Sequence, residues 1–242
     1  MANPRLKIVG VLGGMGPEAT LNFYAKLIEK AKAERDQDHV PTIINSFPQV
    51  PDRNAAIAGK GPSPRTILAA MAKSVERGGA GFLVMACNAG HAYADAIRET
   101  VKIPFVSIVD EVCDEVLRRD PGIKKVGILA ATGTLDSKIY DKAFSRRNLE
   151  MVTLDFKDRA TFQELLYKIK AGDHGDDVKA GMKALAELIV QQGAEVIITA
   201  CSEIPLVLSA EDISKPSFDS IEILAERCVL YARDQANLPK GS

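Results

Sequence analysis

Two segments of the chain repeat one another, and each ends in a thiol. Gly79-Ala80-Gly81-Phe82-Leu83-Val84-Met85-Ala86-Cys87-Asn88 is matched by Gly193-Ala194-Glu195-Val196-Ile197-Ile198-Thr199-Ala200-Cys201-Ser202. In both, a turn containing Gly-Ala feeds a short apolar run that stops at Ala-Cys and a small polar residue. A lone cysteine after an apolar strand is ordinarily core filler. Matched in two repeats, with Asn88 and Ser202 alongside, the pair reads instead as a polar site. Two sulfurs facing one ligand from opposite sides suit taking a proton from one face of a carbon and returning it to the other. Cys113 and Cys228 lie among apolar helical neighbours with no matching pattern, and read as inert.

Other residues can serve such a site. Gly10-x-x-Gly13-Gly14-x-Gly16 follows an apolar run but lacks the G-x-G-x-x-G spacing of a dinucleotide loop, and Asn45-Ser46-Phe47 supplies no acid for a ribose. A tight turn whose N–H groups face an anion fits better, with a helix start behind it; a turn that simply needs small residues is the plainer alternative. Arg53, in a polar loop, is either a surface arginine or a bidentate clamp for a carboxylate. Lys170 closes a helical pattern, where the dipole favours a lysine in any case. His91 can hydrogen-bond near Cys87 or simply pack.

Composition bounds the rest. The chain has 242 residues, 46% hydrophobic and 26% charged, which is ordinary for a globular protein. With 31 basic and 32 acidic side chains interspersed, no nucleic-acid surface is expected. No apolar run reaches the roughly 18 residues of a membrane span, and glycines interrupt the early apolar run where a signal peptide would need continuity. Four cysteines without that signal fit free thiols in the cytoplasm. Their spacing and the three histidines give no metal set.

Short apolar runs alternate with helical patterns. Strands are expected at 6–12, 41–47, 82–85, 103–106, 123–129, 150–154 and 195–199. Helices are expected at 17–35, 65–77, 88–100, 109–118, 137–146, 161–170, 177–192 and 220–236, with a helical turn at 53–58. Leu21, Tyr24, Leu27 and Ile28 carry the period of the first helix. Ile123 to Leu129 parallels Leu6 to Leu12, and Ala130 to Thr134 takes the place of the glycine loop. The fold class is therefore α/β: two similar three-layer domains with mainly parallel sheets, related by a pseudo-twofold, with the site in the cleft between them. Residues 1–118 with 218–242 would form a discontinuous first domain and 119–217 the second, the terminal helix returning to the first half.

Taken together, Gly13-Gly14-Met15-Gly16-Pro17-Glu18, Pro51-Asp52-Arg53, Ala86-Cys87-Asn88-Ala89-Gly90-His91, Ala131-Thr132-x-Thr134 and Ala200-Cys201-Ser202-Glu203-Ile204-Pro205 resemble the aspartate/glutamate racemase superfamily, the aspartate racemase branch most closely. The resemblance spans essentially the whole chain. It implies an enzyme that needs neither pyridoxal phosphate nor metal and is often dimeric, acting on a small acidic amino acid. It also implies that Cys87 and Cys201 are the acid–base pair, and that Met15, Arg53, Asn88, Thr132, Thr134, Lys170, Ser202 and Glu203 face the substrate. Two departures stand out. Ala89 replaces the family's usual threonine, and Ser202 replaces another while keeping the hydroxyl. Ala89 loosens the preference for aspartate, so glutamate or a broader range is an alternative, as are maleate isomerase and hydantoin racemase chemistry.

The expected mechanism places one cysteine as thiolate base and the other as thiol acid, with helix starts behind each strand lowering the thiol pKa. A dicarboxylate-binding protein without catalysis and a dithiol redox protein remain the other classes.

Overall fold

In the computed structural model, which describes residues 6–239, each half of the chain forms a parallel sheet. The first comprises β1 (Val9–Gly13), β2 (Thr42–Ser46) and β3 (Phe82–Met85) in the order β2-β1-β3. The second comprises β4 (Lys125–Leu129), β5 (Glu150–Thr153), β6 (Val196–Thr199) and β7 (Ser217–Asp219) in the order β5-β4-β6-β7. β1 and β4 hold equivalent central places, each beside a cysteine-bearing strand. These short runs are apolar at nearly every position because both faces of a parallel sheet are covered.

Where the first sheet would carry a fourth strand there is only a parallel bridge from Leu83 to Phe105. The strand expected at 103–106 is reduced to this bridge, since Pro104 has no N–H to extend a ladder. β7 is its counterpart in the second half.

The helices are α1 (Pro17–Ala31), α2 (Arg53–Ile57), α3 (Arg65–Arg77), α4 (Ala94–Arg98), α5 (Ile108–Arg119), α6 (Thr132–Asp136), α7 (Ile139–Ser145), α8 (Phe156–Lys170), α9 (Asp176–Gln191) and α10 (Ser220–Ala232). The helix expected at 88–100 is instead a 3-10 turn, Ala89–Tyr93, followed by the short α4. α1 buries Phe23, Leu27 and Ala31, whereas Leu21, Tyr24 and Ile28, taken from the sequence as part of its apolar period, are exposed. Among the described residues no helix is long and apolar enough to cross a membrane.

Two helices cross between the halves. α5 follows the first sheet and packs against α7; α10 follows β7 and packs against α1 and α5. Side chains of both feed a central core shared by the two sheets, including Val9, Phe82, Val112, Val126, Ile198 and Leu224. Two further cores cover the outer faces, one around Leu68, Met71 and Leu83, the other around Phe162, Met182 and Ile197. Each large apolar side chain so buried contributes roughly 1.5–3 kcal/mol. Within the central layer the Glu111 carboxylate accepts from Tyr231 Oη (2.6 Å) and Arg227 Nε (2.9 Å), joining α5 to α10. The division expected at 217/218 falls within β7, which pairs with β6, while α10 lies on the first half. Residues 1–5 and 240–242 of the expected first domain lie outside the described residues.

Candidate active site

Both cysteines leave their sheets in the same way. The Ala86 N–H donates to the Leu12 carbonyl (3.3 Å), and the Ala200 N–H donates to the Leu129 carbonyl (2.9 Å). Each thiol therefore stands one residue beyond the last rung beside its central strand. Cys87 and Cys201 line one cleft. Met15, Arg53, Asn88, Thr134, Lys170, Ser202 and Glu203 line it too, so nine of the ten residues expected at the site come together there. Thr132 is not among the lining residues; it begins α6, and its N–H donates to Gln163 Oε1 (3.3 Å).

Asn54, Ala89, Ala131, Leu166 and Ala200 complete the wall. Asn54 was missed by sequence reasoning, although it adjoins Arg53. Its Oδ1 accepts from the Gly133 N–H (3.0 Å), so a side chain from the first half caps the start of α6 in the second. The loop expected at Ala130 to Thr134 is thus a helix start whose first donors are already engaged.

The glycine turn after β1 is equally committed. Gly14 has φ +84°, and a Cβ there would stand 2.4 Å from the Phe47 nitrogen. Its N–H donates to Thr20 Oγ1 (2.8 Å), and the Gly16 N–H donates to Glu203 Oε1 (3.2 Å). This loop serves tight packing and one buried carboxylate.

Glu203 is the hub of the second half's contribution. Besides Gly16, its Oε1 pairs with the Lys170 ammonium; its Oε2 accepts from Cys201 Sγ (3.2 Å) and Ser202 Oγ (3.1 Å). Burial pushes the Cys201 thiol well above its usual range, and the Glu203 charge raises it further against the opposing pull of Lys170. The expectation of a lowered pKa from a helix start is corrected here for Cys201. Only a 3-10 turn, Ile204–Leu206, follows it, too short for a substantial dipole. Burial also works against the Lys170 ammonium, but Glu203 and the thiols outweigh it, and the net shift is upward.

Arg53 is buried at the cleft. Its Nη1 donates to the Val50 (3.1 Å) and Pro51 (3.0 Å) carbonyls, which hold the side chain in place. Its Nε is buried without a partner, a donor suited to an anion. His91 does not line the cleft; it braces Cys87 from behind. Its Nδ1–H donates to the Cys87 carbonyl (2.9 Å), and its Nε2 accepts from the Ile108 N–H (3.2 Å) at the start of α5. Burial lowers its pKa to about 4, which keeps the imidazole neutral. The cleft is nearly closed, with a cavity volume of about 20 Å³. That is room for roughly one water, so a larger ligand requires opening.

A thiol stands beyond the end of an equivalent strand in each half of a two-lobed α/β fold, with the buried Arg53 and the Lys170 ammonium lining the same cleft. The chain belongs to the Asp/Glu/Hydantoin racemase family, whose model matches residues 12–228, and is an enzyme of the racemase class. It is 29% identical over 226 residues to a broad-specificity amino-acid racemase of Bacillus subtilis, covering 92% of this chain and 96% of that one. The aspartate racemase of Picrophilus torridus superposes with a TM-score of 0.80 at 28% identity, covering 94% of each chain. An aspartate racemase homologue from Pyrococcus horikoshii gives 0.74 at 28% identity, covering 94% of this chain and 99% of that one.

Proposed function

We propose that the protein interconverts the L and D forms of an acidic amino acid, aspartate first, without a cofactor, through Cys87 and Cys201. The observation that carries this reading is the shared cleft: two thiols from equivalent strands, with buried Arg53 offering an unpartnered Nε and Lys170 close by. In the resting state Cys201 is the thiol, since its S–H donates a hydrogen bond to Glu203 and burial opposes ionisation. Cys87, as thiolate, takes the α-proton from one face. The electron pair passes into the α-carboxylate as an enediolate, and Cys201 protonates the opposite face. The product state holds Cys87 as thiol and Cys201 as thiolate, which is the starting state for the reverse reaction. Return to rest moves one proton to Cys201 and one from Cys87, by exchange with water.

Arg53 and Lys170 hold the two carboxylates, and Asn88, Thr134 and Ser202 supply donors for the developing charge. Met15 contributes to the cleft wall, and Thr132 acts only through the start of α6 behind Thr134. A broader or glutamate-directed specificity is the second reading. Ala89 on the cleft wall, where the family's threonine is missing, and the similarity to a broad-specificity enzyme favour it.

We also infer a cytoplasmic homodimer. The exposed apolar side chains Leu21, Tyr24 and Ile28 on α1, and Ile44 and Phe47 on and after β2, support the dimer, and four free cysteines support a reducing compartment. Incubation with L-aspartate, L-glutamate and neutral L-amino acids in D₂O tests the activity. Deuterium at Cα with loss of optical rotation is expected, and saturable binding without exchange would leave only a binding protein.

A further inference from the structure

A chain of buried hydrogen bonds runs behind the cleft from one cysteine strand to the other. The Thr199 carbonyl ends β6, two residues before Cys201, and can only accept; Ser220 Oγ–H donates to it (2.9 Å). With its proton so placed, the Ser220 oxygen accepts from Asn88 Nδ2 (3.0 Å). That contact orients the Asn88 amide, so its Oδ1 faces Tyr140, whose hydroxyl donates to it (2.7 Å). Every direction in the chain follows from the first acceptor, and one amide N–H of Asn88 is left uncommitted beside the cleft.

Tyr140 and Ser220 are fully buried, and neither lines the cleft. Ser220 opens α10, and Tyr140 lies on α7, so the chain ties three elements to the residue that follows Cys87. Such a chain is rigid because each group is engaged and none is wet.

We propose that Tyr140 and Ser220 are positioning residues that set the separation of the two thiols and orient the Asn88 amide, and so decide how often a deprotonated substrate is reprotonated on the opposite face. The inference rests on the two-cysteine reading above. A carbanion flanked by two thiols at the correct separation collects its proton from the far one. If the far thiol drifts, the near one, having exchanged the abstracted proton with solvent, delivers a solvent proton to the face the first one came from. Burial raises the Tyr140 hydroxyl well above its ordinary pKa, so it remains a donor throughout the working range.

The test follows substrate in D₂O from each enantiomer, measuring deuterium at Cα by NMR and inversion by chiral chromatography, for wild type, Tyr140→Phe, Ser220→Ala and Ser220→Thr. Wild type is expected to exchange mainly with inversion. Tyr140→Phe and Ser220→Ala should lower kcat for inversion by about 10- to 100-fold, as a misplacement near 1 Å does. They should leave KM within a small factor and raise the share of exchange with retention. Ser220→Thr, which keeps the hydroxyl, should restore the wild-type partition. Thermal melting of the same variants separates this from loss of fold. An unchanged partition in folded variants, or a fall in kcat that merely tracks the fraction unfolded, overturns the proposal while leaving the racemase reading intact. A folded wild type that neither exchanges nor inverts any amino acid removes both.

Discussion

Cys87 and Cys201 occupy matching ends of matching strands and share the Lys170 ammonium, yet their hydrogen-bonded neighbours differ in charge. Around Cys87 those neighbours are neutral. An uncharged imidazole holds its carbonyl, and the amide of the next residue is fixed by two hydroxyls. Around Cys201 they are ionic: a buried carboxylate two residues on, held by a lysine, accepts from the thiol itself. The difference teaches that the repeat builds the symmetric frame, while the carboxylate stands next to one sulfur only and, in the mechanism proposed, would leave the proton on that thiol at rest. A racemase needs both sulfurs to be usable in either state, but it needs them unlike at any instant.

The largest effect expected is from removing a sulfur. Cys87→Ser and Cys201→Ser should each lower racemisation by about 10³-fold or more, as loss of a proton-transferring group does. The comparison sharpens in D₂O. Each variant should retain exchange with one enantiomer only, and the two should select opposite enantiomers; the same selectivity in both would break the pairing.

The ionic side is tested next by Glu203→Gln. With the carboxylate gone, alkylation of Cys201 followed against pH should shift to lower pH, because Glu203 raises that thiol. Alkylation of Cys87 serves as the reference. A Cys201 profile that stays in place would make burial the sole cause.

The neutral side is tested through His91. Its pKa of about 4 in the folded protein, against about 6.5 unfolded, means the unfolded chain binds more protons between those values. Stability from this group is therefore complete above pH 6.5 and is lost as pH falls toward 4, a change of about 3 kcal/mol. Urea unfolding at a series of pH values should show that slope in wild type and its loss in His91→Asn. The smallest effect is expected where His174 Nε2 and Glu18 Oε2 stand 3.4 Å apart, joining α1 to the loop before α9. Glu18→Ala should change stability by under about 0.5 kcal/mol, since the Glu18 side chain is half exposed.

The frame was legible because it is written in local pattern. The two Gly-Ala to Ala-Cys runs, the glycine turn and the helical periods each declare themselves within a dozen residues. What escaped notice depends on distance or on short pieces. β7 is three residues after Pro216, too few to show alternation. Thr132-Gly133-Thr134 reads as loop until Asn54, from far along the chain, caps it. The strand expected at 103–106 satisfied the apolar pattern but not the ladder, because of Pro104. The raised thiol of Cys201 reversed the expectation from helix starts, since burial and the rotamer of Glu203 are tertiary facts. Tyr140 carried no signal at all; its partner, Asn88, belongs to the other half.

The exchange of helices between the halves has a consequence for how the molecule can be taken apart. α5 leaves one sheet to lie against the other half, and α10 returns the favour, so each lobe borrows a wall from its neighbour. Cutting the gene near Pro121 would yield two fragments, each with a raw apolar flank where the lent helix belongs, and neither a self-sufficient unit. The protein is braided rather than beaded, and whatever motion admits a substrate must turn around that braid without undoing it.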